Sequence, residues 1–128
     1  MLGGCSGPAL TDYAERGPKL IPEVFFNGEL SARGVVKDMS GEVIRTFDAD
    51  ISASWNDAGD VAEPGTMRWR GNTIHMNYVL RIAYGDGTLD VRMDDWMYLI
   101  TPDTLINQTT MSKWGVDVGE LVLVIQKK

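Results

Sequence analysis

From Phe47 to Trp55 the chain alternates without a break. Phe47, Ala49, Ile51, Ala53 and Trp55 occupy one parity, and Asp48, Asp50, Ser52 and Ser54 the other. Successive side chains leave a pleated strand on opposite faces, so this segment has one oily and one wet face only if it is extended. Wound as a helix, it would scatter its aspartates around the cylinder and into any core it met. The segment therefore reads as a half-buried antiparallel strand.

The same rule finds further strands. Leu30, Ala32, Gly34 and Val36 face away from Ser31, Arg33, Val35 and Lys37, and Met76, Tyr78, Leu80 and Ile82 alternate with Asn77, Val79 and Arg81. Leu89, Val91 and Met93 alternate with Asp90 and Arg92 and lead into Trp96–Ile100. Leu105–Lys113 is a polar, threonine-rich strand, and Thr66–Arg70 a short one. Leu121–Ile125 is continuously apolar, which predicts a strand covered on both faces. Turn chemistry separates the runs at Ser40-Gly41, Gly71-Asn72, Gly85-Asp86-Gly87 and Thr101-Pro102-Asp103. Connections this short make sequential strands pair antiparallel. The expected architecture is all-β: an antiparallel up-and-down meander curling into a barrel or a strongly bent sheet, after a short irregular N-terminal segment.

Composition narrows the partners. The 128 residues suit one domain, and 12 basic against 18 acidic residues leave a net charge of -6, which repels a phosphate backbone. Nucleic acid is therefore not an expected partner. One cysteine and one histidine exclude a disulfide framework, a cysteine-rich zinc site and His-pair metal motifs. No metal site and no cofactor are expected. No run of 18 apolar residues is present to cross a bilayer as a helix.

Leu2-Gly3-Gly4-Cys5 resembles a lipobox, where a signal peptidase cuts before a cysteine whose thiol receives a lipid. Small residues before Cys5 suit a narrow peptidase pocket, and Ser6-Gly7-Pro8 suits a flexible tether. A full signal would add a basic start and a longer apolar segment. Residues 1–5 thus read as the remnant of a lipoprotein signal, 6–24 as tether and irregular segment, and 25–128 as the β domain. The alternative is a lone free thiol near the terminus.

Several islands resemble a family of Gram-negative bacterial lipoproteins catalogued as domain of unknown function 3833. They are Gly4–Pro8 with Tyr13, Phe25–Leu30, Ala32, Gly34, Ser40–Val43, Asp94–Ile100, Leu105–Asn107, Met111–Gly115 and Val118–Glu120. The resemblance implies a lipid-anchored, lipocalin-like β-barrel of the cell envelope with no established enzyme activity. It would sit at the periplasmic face of a membrane, the outer one favoured because Ser6 is not the aspartate associated with inner-membrane retention. The chain departs from the family where two or three more strands are expected between Trp55 and Met67. A barrel lacking them has open edges that must be covered, charged or paired.

Asp94-Asp95 beside Trp96 is the most unusual local feature, because one of two adjacent aspartates on a strand must point inward. The inward carboxylate is either a polar anchor or acid–base group within a cavity, or a structural group that pairs with an arginine such as Arg33, Arg81 or Arg92 or caps a turn. Tyr78, Trp96, Tyr98, Asn107 and Lys113 are candidates to line a pocket mouth or floor, and Trp55 is a further pocket candidate; the alternative for the aromatics is plain core. His75, without companion ligands, is expected to be solvent-facing or hydrogen-bonded. Ala32, Gly34, Ala49 and Ala53 make one face of the first two strands small, which either admits large partners such as Trp55 and Trp96 or leaves volume for an acyl chain. No nucleophile elbow or phosphate-cradling glycine motif occurs. Three functions follow in order: a non-enzymatic, membrane-tethered binder of a lipid or apolar small molecule; a structural lipoprotein pairing through an open sheet edge, with itself or another protein; and a lipid-modifying enzyme using Asp94 or Asp95.

Overall fold

The computed structural model describes residues 9–53 and 61–128, with backbone alone for 61–64 and 82–84. All seven expected strands form: β1 (Gly28–Lys37), β2 (Val43–Ala53), β3 (Val61–Arg70), β4 (Thr73–Tyr84), β5 (Gly87–Thr101), β6 (Thr104–Lys113) and β7 (Val116–Lys127). A 3-10 turn at Leu10–Tyr13 and the single-turn helix α1 (Pro22–Phe25) are the helical content of the described residues.

The strands make one antiparallel sheet in the order β2-β1-β7-β6-β5-β4-β3. First and last strands meet, Ala32 opposite Ile125 and Gly34 opposite Leu123. The break falls elsewhere, between β2 and β3, so the sheet is not closed into a barrel. Six consecutive antiparallel pairings leave these two outer strands running in the same direction. They cannot zip to each other as an antiparallel pair, and closure of the meander would take an odd number of further strands. The gap lies in the stretch where the family pattern led us to expect more chain.

The expected periodicity decides the faces. Val91, Met93, Asp95, Met97 and Leu99 are buried along β5, while Arg92 and Ile100 on the other parity are exposed. Strand β7 corrects an expectation. Leu123 and Ile125 are buried but Val124 between them is 42% exposed, so the apolar run is covered on one face only. The second apolar row exists because β7 is a central strand, where β-branched residues fit either face. At Gly34 the small inner face of β1 has a cause of its own. A Cβ at Gly34 would overlap the Val122 carbonyl oxygen, so the missing side chain lets β1 and β7 approach closely.

The main core sits toward one end. Leu20, Phe25, Leu30, Ile74, Leu99 and Leu105 form one buried cluster with Ala32, Met97, Leu123 and Ile125. Leu20 and Phe25 arrive from the N-terminal segment, which caps the end of the sheet that carries the β3–β4 and β5–β6 turns. Leu20 N–H donates to the Gly71 carbonyl at 2.8 Å, and Lys127 Nζ donates to the Phe25 and Asn27 carbonyls at 3.0 Å each. At Gly71 φ is +55° and a Cβ would strike the Tyr13 carbonyl, so glycine is required there. In β2, Phe47 keeps the inner parity opposite Gly34 but stays 40% exposed, because among the described residues nothing pairs with the strand's other side. Ile51 and Ala53, nearer the capped end, pack against the core. Trp55 lies outside the described residues.

Candidate functional site

The residues singled out in the sequence separate onto two faces. Asp95 points inward and is 4% exposed. Its Oδ2 accepts the Tyr78 hydroxyl at 2.8 Å, and its Oδ1 accepts the Thr109 hydroxyl at 2.5 Å and the Asn107 side-chain amide. Three adjacent strands supply these groups: Tyr78 comes from β4, Asp95 from β5, and Asn107 and Thr109 from β6. The arginine pairing expected for the inward carboxylate does not occur. Arg33 pairs with Asp48 at 3.0 Å, Arg81 with Asp90 at 2.8 Å, and Arg92 donates to Asn77 at 2.7 Å. Neutral donors suffice because each hydrogen bond to a charged acceptor is strong in a low-dielectric interior.

Burial, then the Asp95 charge and hydrogen bond, push the Tyr78 phenol well above its usual range. Tyr78 therefore stays a proton donor at neutral pH. With both oxygens engaged and the group sealed from solvent, Asp95 ties β4, β5 and β6 together. Thr109 escaped the sequence reading. Its signal was available: Asn107 and Thr109 are polar on the parity of β6 that also carries Leu105 and Met111.

Asp94, Trp96 and Tyr98 occupy the opposite face. His75 Nε2 lies 2.6 Å from Asp94 Oδ1, and its ring stacks on Trp96 with centroids 4.1 Å apart. His75 is thus hydrogen-bonded, and its partner is the other aspartate of the pair. Tyr13 covers Trp96 and Tyr98 at centroid distances of 6.2 and 5.7 Å. Burial and the neighbouring Tyr13 push Tyr98 up to about 12. These aromatics hold down the N-terminal segment instead of lining a pocket with Tyr78 and Asn107. An outer-face hollow of about 540 Å³ beside them is lined by Gly65 and the polar or charged residues Thr66, Arg68, His75, Asn77 and Arg92.

An apolar hollow lies at the opposite end from α1. It measures about 520 Å³ and is lined by Leu89, Val91, Lys113, Trp114, Val116 and Val118. Leu89 and Val91 share the inner parity of β5 with Met93; Val116 is the register partner of Lys113, and Val118 falls at the β6–β7 register shift. Trp114 and Gly115 form the hairpin tip with φ of +53° and +77°. Positive φ at both positions is the requirement of a type I′ turn, which normally takes Asn-Gly or Gly-Gly. A bulky side chain in this region is strained, and Trp114 recovers little by packing, since it is 88% exposed. Lys113 Nζ stands 4.9 Å from its ring centroid and donates to the Asp90 carbonyl at 2.7 Å. Lys113 was grouped by sequence with Tyr78, Trp96, Tyr98 and Asn107, none of which lines this hollow, and Trp114 was not singled out as a site because tryptophan is no turn signal.

Among the described residues, no three His, Cys, Asp or Glu side chains converge to hold a metal ion, and no buried side-chain polar atom lacks a partner. Cys5 and Trp55, the remaining candidates, lie outside the described residues.

Fold and site together define a single-sheet, all-β protein with a capped apolar end and an open apolar end. The chain belongs to the DUF3833 family, proteins of unknown function, whose model it matches over residues 1–59 and 56–127. The two matched segments meet where the sheet breaks between β2 and β3. No curated protein and no solved structure matches the chain.

Proposed function

We propose that the protein is an envelope-anchored binding module that takes an acyl chain or a similar apolar ligand at the open end of its sheet. The observation that carries this reading is the hollow of Leu89, Val91, Val116 and Val118 beside Trp114. A strained, exposed tryptophan at the mouth of an apolar hollow lowers the stability of the free protein and recovers that loss when a ligand covers it. Lys113 at the rim suits an acidic or zwitterionic headgroup. Lipidation at Cys5, with residence at the periplasmic face of the outer membrane, belongs to the same reading; each buried acyl methylene contributes about 0.8 kcal/mol to anchoring. On this reading the role is binding, and Asp95, taken up by structural hydrogen bonds, serves the fold.

The test is purification of the Cys5→Ser chain from its own host without detergent, followed by native mass spectrometry. A co-purifying lipid is expected, and the delipidated protein should bind a fluorescent fatty acid saturably. Val116→Asp, placing a charge in the hollow, should weaken that binding about tenfold or more. Absence of saturable binding, or binding indifferent to Val116→Asp, contradicts the reading.

A second reading, interaction through the sheet edge, is favoured by one observation: among the described residues nothing pairs with the outer side of β2. Its test is amide hydrogen exchange on the monomeric chain at high dilution, which should find the outward-facing amides of β2 unprotected.

A further inference from the structure

The two outer strands of the sheet are not alike. Strand β3 carries Pro64 and Gly65 and shifts register twice against β4, between Val61 and Glu63 and between Glu63 and Thr66. Proline, glycine and bulges are the devices that stop an edge from pairing with another chain. Strand β2 has no proline or glycine along Val43–Ala53, and its single register shift against β1 lies at its start, between Val43 and Arg45, leaving Arg45–Ala53 unbroken. It also runs in the same direction as β3, so the molecule's own other edge cannot pair with it antiparallel.

We infer that β2 pairs antiparallel with β2 of a second copy of this chain, across a twofold axis at Phe47. This rests on the reading of β2 as an interaction edge and names its occupant. The residue pattern selects the register. With Phe47 facing its own counterpart, the two rings meet at the axis and Arg45 lies opposite Ala49, its aliphatic stem flanking them, all within the unbroken run from Arg45. On the other face Asp48 lies opposite Thr46. No like charges oppose each other. A shift that centres the axis on Asp48 sets two aspartates face to face, and one centred on Ala49 sets Asp48 against Asp50; like charges directly opposite destabilise a pair of strands. The pairing covers Phe47, which the monomer leaves 40% exposed, and extends the sheet through an isologous interface of the commonest symmetry.

Light scattering on the full chain across a concentration series tests this. A monomer–dimer equilibrium is expected. Thr46→Asp, which opposes Asp48 of the second copy at two symmetric positions, should weaken it about tenfold, whereas Thr46→Lys should strengthen it. In the Cys5→Ser background, Phe47→Cys should form an intermolecular disulfide faster than Arg45→Cys, whose counterpart lies farther along the strand. A chain that is monomeric at every concentration overturns the inference. Hydrogen exchange then separates the two failures: fast exchange of the outward β2 amides keeps the edge reading and removes the second copy, while protected amides remove both. A dimer equally insensitive to Thr46→Asp and Thr46→Lys, or one that links as fast through Arg45→Cys, also overturns it.

Discussion

The two ends of this sheet are built from similar residues and used differently. At the capped end Leu20 and Phe25 are almost fully buried, and they join Leu30, Leu99 and Leu105 of the sheet's inner face in one core. At the open end Trp114, Val116 and Val118 are exposed, and their hollow has no segment of the described chain in it. The Asp95 layer of Tyr78, Asn107 and Thr109 lies along the strands between them. Burial of apolar side chains stabilises only where another part of the chain provides the covering surface. The capped end thus holds the fold together, and the open end is available for a ligand.

The sharpest way to break this contrast is to exchange one apolar group at each end. Phe25→Ala should lower the unfolding free energy by about 3–5 kcal/mol, whereas Val116→Ser should change it by less than about 0.5 kcal/mol. Denaturant unfolding measures both, and comparable losses would erase the distinction. The polar layer should respond almost as strongly as the capped end. Asp95→Asn keeps the shape but removes the charge, and its amide faces donors, so a loss of about 2–3 kcal/mol is expected from the same measurement.

Alkaline pH examines that layer from another side. The folded Tyr78 phenol ionises later than an unfolded one, which titrates near pH 10. Its stabilising contribution is therefore complete below about pH 10 and is lost as pH rises through the folded value. Tyr98, pushed up to about 12, acts in the same direction within a window from about pH 10 to about 12, with less weight because solvent screens it more. Phenolate absorbance should show both phenols titrating late in the folded protein, and Tyr78→Phe should flatten the alkaline limb. The smallest effect is the most diagnostic, because its sign differs between two assays. Trp114→Asn relieves the left-handed strain and should raise stability by about 1 kcal/mol while weakening the fatty-acid probe. A variant that loses stability would mean that Trp114 serves the fold.

Much of this architecture was legible, and the reason is local. Seven strands and four of the turns follow from alternation and turn chemistry, which depend on residues a few positions apart. Pairing between β1 and β7 leaves no mark on either strand, so the position of the break came only from the family pattern and then from the sheet order. That one of Asp94 and Asp95 points inward was a matter of parity. Its partners were not, because Tyr78, Asn107 and Thr109 reach Asp95 through the registers of three strands. Arginines were expected from the general rule that buried charges are paired, and three neutral donors met the same demand. Trp96 and Tyr98 looked like pocket residues for the same want of register, and they hold Tyr13 instead. Trp114 was invisible as a site because its importance lies in a backbone angle that its residue type disfavours.

The most direct test follows backbone amide resonances while the delipidated protein is titrated with a long-chain fatty acid. Saturable shifts at Leu89, Val91, Trp114, Val116 and Val118, with Leu20–Phe25 unmoved, are the predicted result. Shifts centred on Leu20–Phe25, or none that saturate, would contradict a protein sealed at one end and receptive at the other.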